Sequence, residues 1–265
     1  MRICSIASGS SGNCIYVGAG DKHFLIDAGI TCKRIVEALT SINVSANDIC
    51  AMFVTHEHSD HIASVGAMAR KYHIPIYTTT ETYYAMLHGK TNIGNIDSSL
   101  FHPVCDGEVI NFDNVMVTPF AISHDAANPV AYTFSDGYKT IGMAADLGIY
   151  DSNTIVNLSG CDCLYLESNH DKSMLMVGVY PFYLKQRVAG EHGHLSNDQC
   201  AELIKAVYNE NLKTVLLGHI SRENNLYDLA YESMRCYLTE LYGSEEAIPE
   251  IIVARHDCMT KLVEV

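Results

Sequence analysis

The chain has 265 residues, 31 of them acidic and 17 basic, for a formal net charge of −14. Its 48% hydrophobic and 18% charged content is that of a globular protein long enough to bury a sizeable core. The acidic balance excludes a broad basic coat for nucleic acid, and no apolar run approaches the ~20 residues of a membrane span.

Arg2 to Ala7, Cys14 to Ala19 and His23 to Asp27 read as strands. The link Ser8-Gly9-Ser10-Ser11-Gly12-Asn13 is turn chemistry, and its backbone N–H groups could also cradle a phosphate. Lys33 to Leu39 reads as a helix. The apolar Cys50-Ala51-Met52-Phe53-Val54-Thr55 reads as a strand, and Ile62 to Tyr72 as a helix. Strand Pro75 to Thr78 and a helix near Glu81 to Leu87 follow. Val115 to Phe120, Ala131 to Ser135, Lys139 to Ala144, Asp162 to Glu167 and Lys213 to Leu217 are expected strands. Ser196 to Tyr208 and Leu226 to Tyr242 are expected helices, with Ser196-Asn197-Asp198-Gln199 as a capping box and Asn225 with Asp228 as a further cap. Short strands at Glu250 to Ala254 and Thr260 to Val263 close the chain. Two strand-rich halves, each followed by helices, predict one α+β domain over residues 1–265. It is an αββα sandwich of two mixed sheets with helices on the outer faces.

The 10 cysteines lie mostly in apolar runs and no export signal is legible, so reduced thiols and a cytoplasmic location are expected. Cys161 and Cys163 read as two thiols flanking a strand rather than as a metal pair.

Chemistry concentrates between the strand ending at Thr55 and the helix starting at Ile62, in His56-Glu57-His58-Ser59-Asp60-His61. Several polar ligand-type side chains on one loop are hard to explain by packing, because each carries atoms that need partners. They suit a pair of divalent metals. Further ligands are expected on loops after strands, and His124, Asp146 and His219 fit. The expected partition gives His56, His58 and His124 to one metal and Asp60, His61 and His219 to the second, with Asp146 shared and a hydroxide between the ions. Zn, Mn and Fe all accept such donors. Two such ions bring four positive charges, and Asp60, Asp146 and a hydroxide remove three. The site therefore stays positive inside an acidic protein and attracts an anionic phosphodiester.

Two further residues fit proton transfer. Glu167 ends a strand, and His194 lies two residues before the capped helix. The helix dipole favours a neutral imidazole there, whereas a nearby Glu167 favours the protonated form. Such opposed tuning is expected to hold His194 near neutral pKa, which suits a proton donor to a leaving oxygen. The alternative is that Glu167 merely orients its neighbours and His194 caps a loop. His170 could contact substrate or support the site. In Tyr180-Pro181-Phe182-Tyr183-Leu184-Lys185-Gln186-Arg187, aromatics could stack on bases while Lys185 and Arg187 pair with phosphates; an amphipathic helix would look the same. His192 is expected to be solvated, and His23, His73, His88, His102 and His256 to be structural.

The set His56-x-His58-x-Asp60-His61, His124, Asp146 and His219 resembles the metallo-β-lactamase superfamily of hydrolases. Asp27, in Leu25-Ile26-Asp27-Ala28-Gly29, matches that superfamily's early Asp, and the resemblance implies a supporting rather than a ligating role. Asp146 stands where zinc β-lactamases often carry a Cys, which argues against antibiotic hydrolysis. The Ser8–Asn13 turn, Leu166-Glu167-Ser168-Asn169-His170-Asp171, Gly193-His194-Leu195-Ser196 and Gly218-His219-Ile220-Ser221 resemble the YycJ/WalJ-type group, which implies a nuclease acting on DNA ends. Glu167 and His194 resemble the pair that assists leaving-group protonation in transfer-RNA-processing endonucleases of the superfamily. The competing expectation is a thioester or lactone hydrolase similar to glyoxalase II. A metal-bound regulatory protein without turnover is the third.

Overall fold

Period-two alternation of apolar residues builds two seven-stranded sheets in the computed structural model, which describes residues 1–265. The first sheet contains β1 (Arg2–Ala7), β2 (Cys14–Ala19), β3 (Lys22–Ile26), β4 (Ile49–Phe53), β5 (Ile76–Thr78) and β6 (Phe101–Pro103) in that spatial order. The second contains β7 (Ile110–Phe112), β8 (Val115–Ala121), β9 (Val130–Ser135), β10 (Thr140–Ala144), β11 (Cys163–Glu167), β12 (Thr214–Gly218) and β13 (Glu250–Val253). A last strand, β14 (Val263–Glu264), returns to pair with β1.

Each sheet begins antiparallel and ends parallel. β1, β2 and β3 alternate, and β3 to β6 run together. β7 to β10 alternate, and β10 to β13 run together. Strands two steps apart in an antiparallel run point the same way, so β1 ends on the same side as β3, and β8 on the same side as β10. The residues after β1, β3 and β4, and after β8, β10, β11, β12 and β13, therefore gather at two adjoining sheet ends.

Alternation also sorts the core. Phe24, Ile26, Phe53, Tyr132, Phe134, Tyr165 and Leu216 lie between the sheets. Leu25 and Met52 face the helices of the first sheet; Leu164, Leu166, Val215 and Leu217 face those of the second. Helices α1 (Cys32–Ser41), α2 (Ser59–Ile62), α3 (Val65–Tyr72) and α4 (Thr80–His88) supply Ile35, Leu39, Ile62, Val65, Met68 and Met86 to the first outer layer. In the second half come α5 (Ser152–Leu158), α6 (Lys172–Val177), α7 (Phe182–Val188), α8 (Asn197–Ala206) and α9 (Tyr227–Tyr242). Of these, α5, α8 and α9 bury Leu158, Leu203, Ile204, Met234 and Leu238 against the second sheet. The α+β sandwich expected from the sequence is the fold observed. No helix is long and apolar enough to cross a membrane.

Three local expectations fail, each because a tertiary bond wins. The helix expected from Ile62 to Tyr72 breaks at Ala63 and Ser64, where the Ser64 N–H donates to Ala28 O at 2.8 Å and ties the loop back to the end of β3. Asn225 does not cap α9. Its amide donates to Ser168 O at 2.9 Å and Asn169 O at 3.2 Å, and α9 starts after Leu226 with no side-chain cap. The last strand starts at Val263 rather than Thr260, because Thr260 is held by Ser5 through its N–H and hydroxyl before the ladder begins. All 10 cysteines are unpaired, and burial pushes the Cys161 thiol up to about 12.

Phe53 anchors the layer between the sheets, with ring centroids 5.2 Å from Tyr132, 5.3 Å from Phe134 and 6.0 Å from Phe24. Phe53→Ala is expected to destabilise the protein by about 3–5 kcal/mol. A urea unfolding curve checks it, and an unmoved midpoint would mean that the layer collapses around the lost ring.

Candidate metal centre and the Glu167–His194 pair

The loop after β4 delivers His56, His58, Asp60 and His61 because two turns fix its backbone. Asn13 N–H donates to Asp60 O at 2.7 Å, and Ala28 N–H donates to His61 O at 2.8 Å. Gly29 lies so close that a Cβ there would come within 1.6 Å of Asp60 O, so no larger residue fits. The Ser8–Asn13 turn is largely spent on this task. Gly9 N–H donates to the Asn13 side chain at 2.7 Å, and Asn13 Nδ2 reaches Asp60 Oδ2 at 3.2 Å and His61 Nε2 at 3.0 Å.

The other strand ends converge on the same point. Asp27, Asp146 and His219 each leave their strand with positive φ, 60°, 55° and 52°. Non-glycine residues adopt this conformation at a cost, and here it turns the side chain out of the sheet direction into the space between the loops. The structure brings together His56, His58 and His124; Asp60, His61 and His219; and His56, His61 and Asp146. Ligand atoms within each set lie within 4.8 Å of one another. Asp146 lies nearest the centre, with Oδ2 2.9 Å from His61 Nε2, and Oδ1 3.4 Å from His219 Nε2 and 3.9 Å from His124 Nε2.

Outer partners fix how each ring faces. His61 Nδ1 meets Asp27 Oδ2 at 2.7 Å, and Asp27 also accepts the Thr55 N–H at 2.8 Å and the Thr55 hydroxyl at 2.9 Å. His124 Nδ1 donates to Gly193 O at 3.1 Å. His219 is held through its N–H to Ser8 Oγ at 2.6 Å and through Asn169, which donates to its carbonyl at 2.8 Å. In His61 and His124 one ring nitrogen is fixed on a carboxylate or carbonyl and the other is presented inward, the arrangement that metal-binding imidazoles use, whereas the bonds to His219 hold its backbone.

The donor set fits divalent cations. His56 Nε2 and His219 Nε2 are buried with no hydrogen-bond partner, and Asp146 Oδ2 approaches His61 without the alignment of a hydrogen bond. Burying such groups unmet is costly, and they point at a shared centre rather than at one another. Electrostatics agree at His56 and Asp146, while at His61 burial is overcome by the Asp27 and Asp146 carboxylates, which hold the ring well above the usual histidine range. Burial and the neighbouring imidazoles hold His56 well below the usual histidine range. Burial alone would raise Asp146, but His219 and His61 hold its carboxyl well below the carboxylate range. A deprotonated imidazole and an ionised carboxylate are the forms that bind metal.

Glu167 is fully buried at the end of β11, on the face that looks toward the other sheet. One oxygen accepts the Leu147 N–H at 2.6 Å and the Leu195 N–H at 3.0 Å; the other meets His194 Nδ1 at 3.1 Å. It thus ties the loop after β10 to the loop before α8 and aims His194. That ring lies 3.4 Å from Asp146 Oδ1, and its side chain is 21% exposed. Burial works to lower the His194 pKa, but the charge and hydrogen bond of Glu167 overcome it and push it up to about 9. The sequence set the helix dipole against Glu167 and expected a near-neutral ring; here it is burial that opposes the carboxylate, and the ring rises above that range.

Other expected residues fall elsewhere. His170 is buried beside α8 with Nδ1 unpartnered, and burial pushes its pKa down to about 4. Lys185 donates to Met176 O at 2.6 Å, and Arg187 pairs with Asp125 at 2.6 Å, so both cations are engaged within the protein. Asp125 in turn lies 3.4 Å from His124 Nε2 and 3.7 Å from His58 Nε2. Phe182 and Tyr183 stand exposed on α7. His192 is exposed and bonds to Ser123 Oγ at 2.9 Å. Sequence reasoning did not single out Thr55, Asp125 or Asn169, and it took His256, a buried ring, as structural. The last follows β13 and obeys the same strand-end rule that singled out His219.

Two mixed sheets with histidines and carboxylates gathered at one edge define a metallohydrolase of the αββα type. The chain belongs to the metallo-beta-lactamase superfamily, whose model matches residues 7–219. It is 36% identical to the exodeoxyribonuclease YycJ of Bacillus anthracis over 248 residues, 93% of each chain. It is 38% identical to the exodeoxyribonuclease WalJ of Streptococcus pneumoniae serotype 2 over 229 residues, 86% of this chain and 85% of that one. Among solved structures, the metallo-beta-lactamase fold protein YhfI of Bacillus subtilis superposes with a TM-score of 0.70 at 17% identity, covering 98% of each chain. That likeness is one of fold.

Asp27→Asn keeps the backbone conformation, which Asn tolerates, and removes the charge behind His61. Metal affinity is expected to fall about 10–100-fold. Competition with a chromophoric chelator measures it, and wild-type affinity would show that His61 needs no carboxylate behind it.

Proposed function

We propose that this chain is a phosphodiesterase acting on nucleic acid, a single hydrolase domain that trims DNA from its ends with two divalent ions. The observation that carries the reading is the convergence of seven ligand-type side chains with His194 at their rim. The extent of similarity to two exodeoxyribonucleases supports the substrate class. His56, His58 and His124 would hold one ion, Asp60, His61 and His219 the other, and Asp146 would serve both. The donors suit Zn, Mn or Fe. When bound, such ions supply an activated water and stabilise the charge that develops on a phosphoryl group.

The chain's own residues do the rest. Glu167 holds the His194 Nδ1–H, which leaves Nε2 to deliver a proton to the departing oxygen. Buried Glu167 is a positioning residue: its three bonds to the loops before α8 and after β10 set where that proton stands. Arg187 neutralises Asp125 beside His58 and His124, removing a negative charge from the path of a phosphate. Phe182 and Tyr183, exposed between Glu167 and His194 in the chain, offer faces for unpaired bases. A thiolate leaves without protonation, so the Glu167–His194 pair has no task in thioester hydrolysis, and that alternative is not favoured. The unpaired thiols support placement in the reducing cytoplasm.

The test is a gel assay on end-labelled single- and double-stranded DNA and RNA with Mn and with Zn, beside a thioester and a lactone. Release of short products from DNA ends, with closed circles spared, is expected. Turnover of the acyl substrates with DNA left intact would reject the reading. His58→Ala is expected to abolish both metal retention and turnover, read by elemental analysis of the purified protein. His194→Ala is expected to retain the metals and slow cleavage about 10²–10⁴-fold. Unchanged turnover of a substrate with a poor leaving group would remove His194 from the reaction.

A further inference from the structure

The loops after β12 and β13 border a second cleft of about 460 Å³ that none of the roles above uses. β12 and β13 are parallel neighbours, so the cleft opens at the same end as the metal centre, one strand further out than His219. Arg222, three residues past His219, and Arg255, two residues past β13, both line it.

In a chain of net charge −14, neither guanidinium has a carboxylate partner. Arg222 donates to Ser11 Oγ at 3.1 Å, and Arg255 lies over the Tyr227 ring at 4.9 Å. Arg34 adds a third cation behind the wall, donating to His256 O at 3.2 Å. Asp257 is the carboxylate in the lining. Exposed arginines alone would mean little.

Two further observations point to an anion. His256 lines the cleft and is only 6% exposed, yet both its ring nitrogens are buried without a partner. The ring is pressed on the Ser8–Asn13 turn, where a Cβ on Gly9 would come within 2.0 Å of it. That turn spends its Gly9, Gly12 and Asn13 amides internally, but the Ser10 and Ser11 N–H groups donate to no acceptor in the protein; both residues are exposed and stand beside the cleft, joined to it by the Arg222–Ser11 bond, rather than in its lining. Free consecutive amides, guanidiniums and an unmet imidazole are the groups that phosphate oxygens satisfy.

We propose that this cleft is a phosphate subsite: it binds a phosphate of the substrate strand other than the one being cleaved, through Arg222, Arg255 and the Ser10–Ser11 amides. The inference rests on the nuclease reading and extends it. The subsite sets which stretch of strand lies along the surface while the scissile linkage sits at the metal centre. It also gives an acidic protein a local grip on a polyanion.

The test uses the metal-loaded full chain as wild type, as the Arg222→Ala, Arg255→Ala double variant and as the corresponding double lysine variant. Binding of labelled single-stranded DNA, with and without a terminal phosphate, is followed by fluorescence anisotropy across a salt series. Turnover of bis(4-nitrophenyl) phosphate, too small to span both sites, is measured in parallel. The alanine variant is expected to bind DNA at least ~10-fold more weakly, with a salt slope lower by about 0.7 per lost contact. Its loss on DNA should exceed any loss on the small ester by about that same factor, and lysines should restore much of the binding and the slope. Loss confined to the phosphorylated strand assigns the subsite to a terminal phosphomonoester; equal loss on both assigns it to an internal phosphodiester. DNA binding by the alanine variant within about 2-fold of wild type overturns the subsite, while wild-type cleavage of DNA keeps the nuclease reading intact. Hydrolysis of the small ester by a wild type that binds no DNA removes both.

Discussion

The line from Asp27 through His61 to Asp146 is the interaction on which the rest of the site depends. It crosses from the first sheet to the second. Asp27 leaves β3, His61 closes the loop after β4, and Asp146 leaves β10; the two contacts are 2.7 Å and 2.9 Å. These groups are almost completely buried. Asp27 is met by His61 and by the Thr55 N–H and hydroxyl, whereas Asp146 and His61 face one centre where a cation would meet them both, so the two sheets must meet in one register for the line to close. The apolar layer headed by Phe53 sets that register, and the polar line then has a single place to form.

Strand direction explains why so many functional residues share one edge. Each mixed sheet ends with parallel strands, whose connections cross back over the outer faces as helices and leave one end free for loops. The loops are short and bonded to one another: Asn13 to Asp60, Ala28 to Ser64, Leu147 and Leu195 to Glu167. Rigid elements thus carry the ligand-type side chains, while the positive-φ turns at Asp27, Asp146 and His219 aim three of them. Such backbone strain persists where surrounding bonds over-determine it, and these do. Glu167 extends the same logic to His194, holding two loops and a ring from one buried carboxylate.

An acidic protein that handles a polyanion must concentrate positive potential locally. The structure does so in two places along the same edge. The cage of imidazoles calls for cations, and the neighbouring cleft carries arginines with no carboxylate partner. Arg187 serves the purpose differently, cancelling Asp125 instead of facing outward. The bulk charge of −14 is therefore compatible with a nucleic-acid substrate.

The sequence by itself determined the local patterns: the strands, the capped helix at Ser196, the dense motif from His56 to His61, and the strand-end positions of His124, Asp146 and His219. These are legible because pleat period, turn chemistry and ligand type are written within a few residues. Only the tertiary structure decided which side chains meet. It turned Asn225 from a helix cap into a clamp on the loop after β11, split the helix expected at Ile62, and spent Lys185 and Arg187 on neighbours. It also made His256 a buried ring beside two arginines that have no carboxylate partner. Each of those outcomes turns on a partner far away in the chain, and one segment carries no record of which distant backbone oxygen or carboxylate will stand within 3 Å once the sheets have packed.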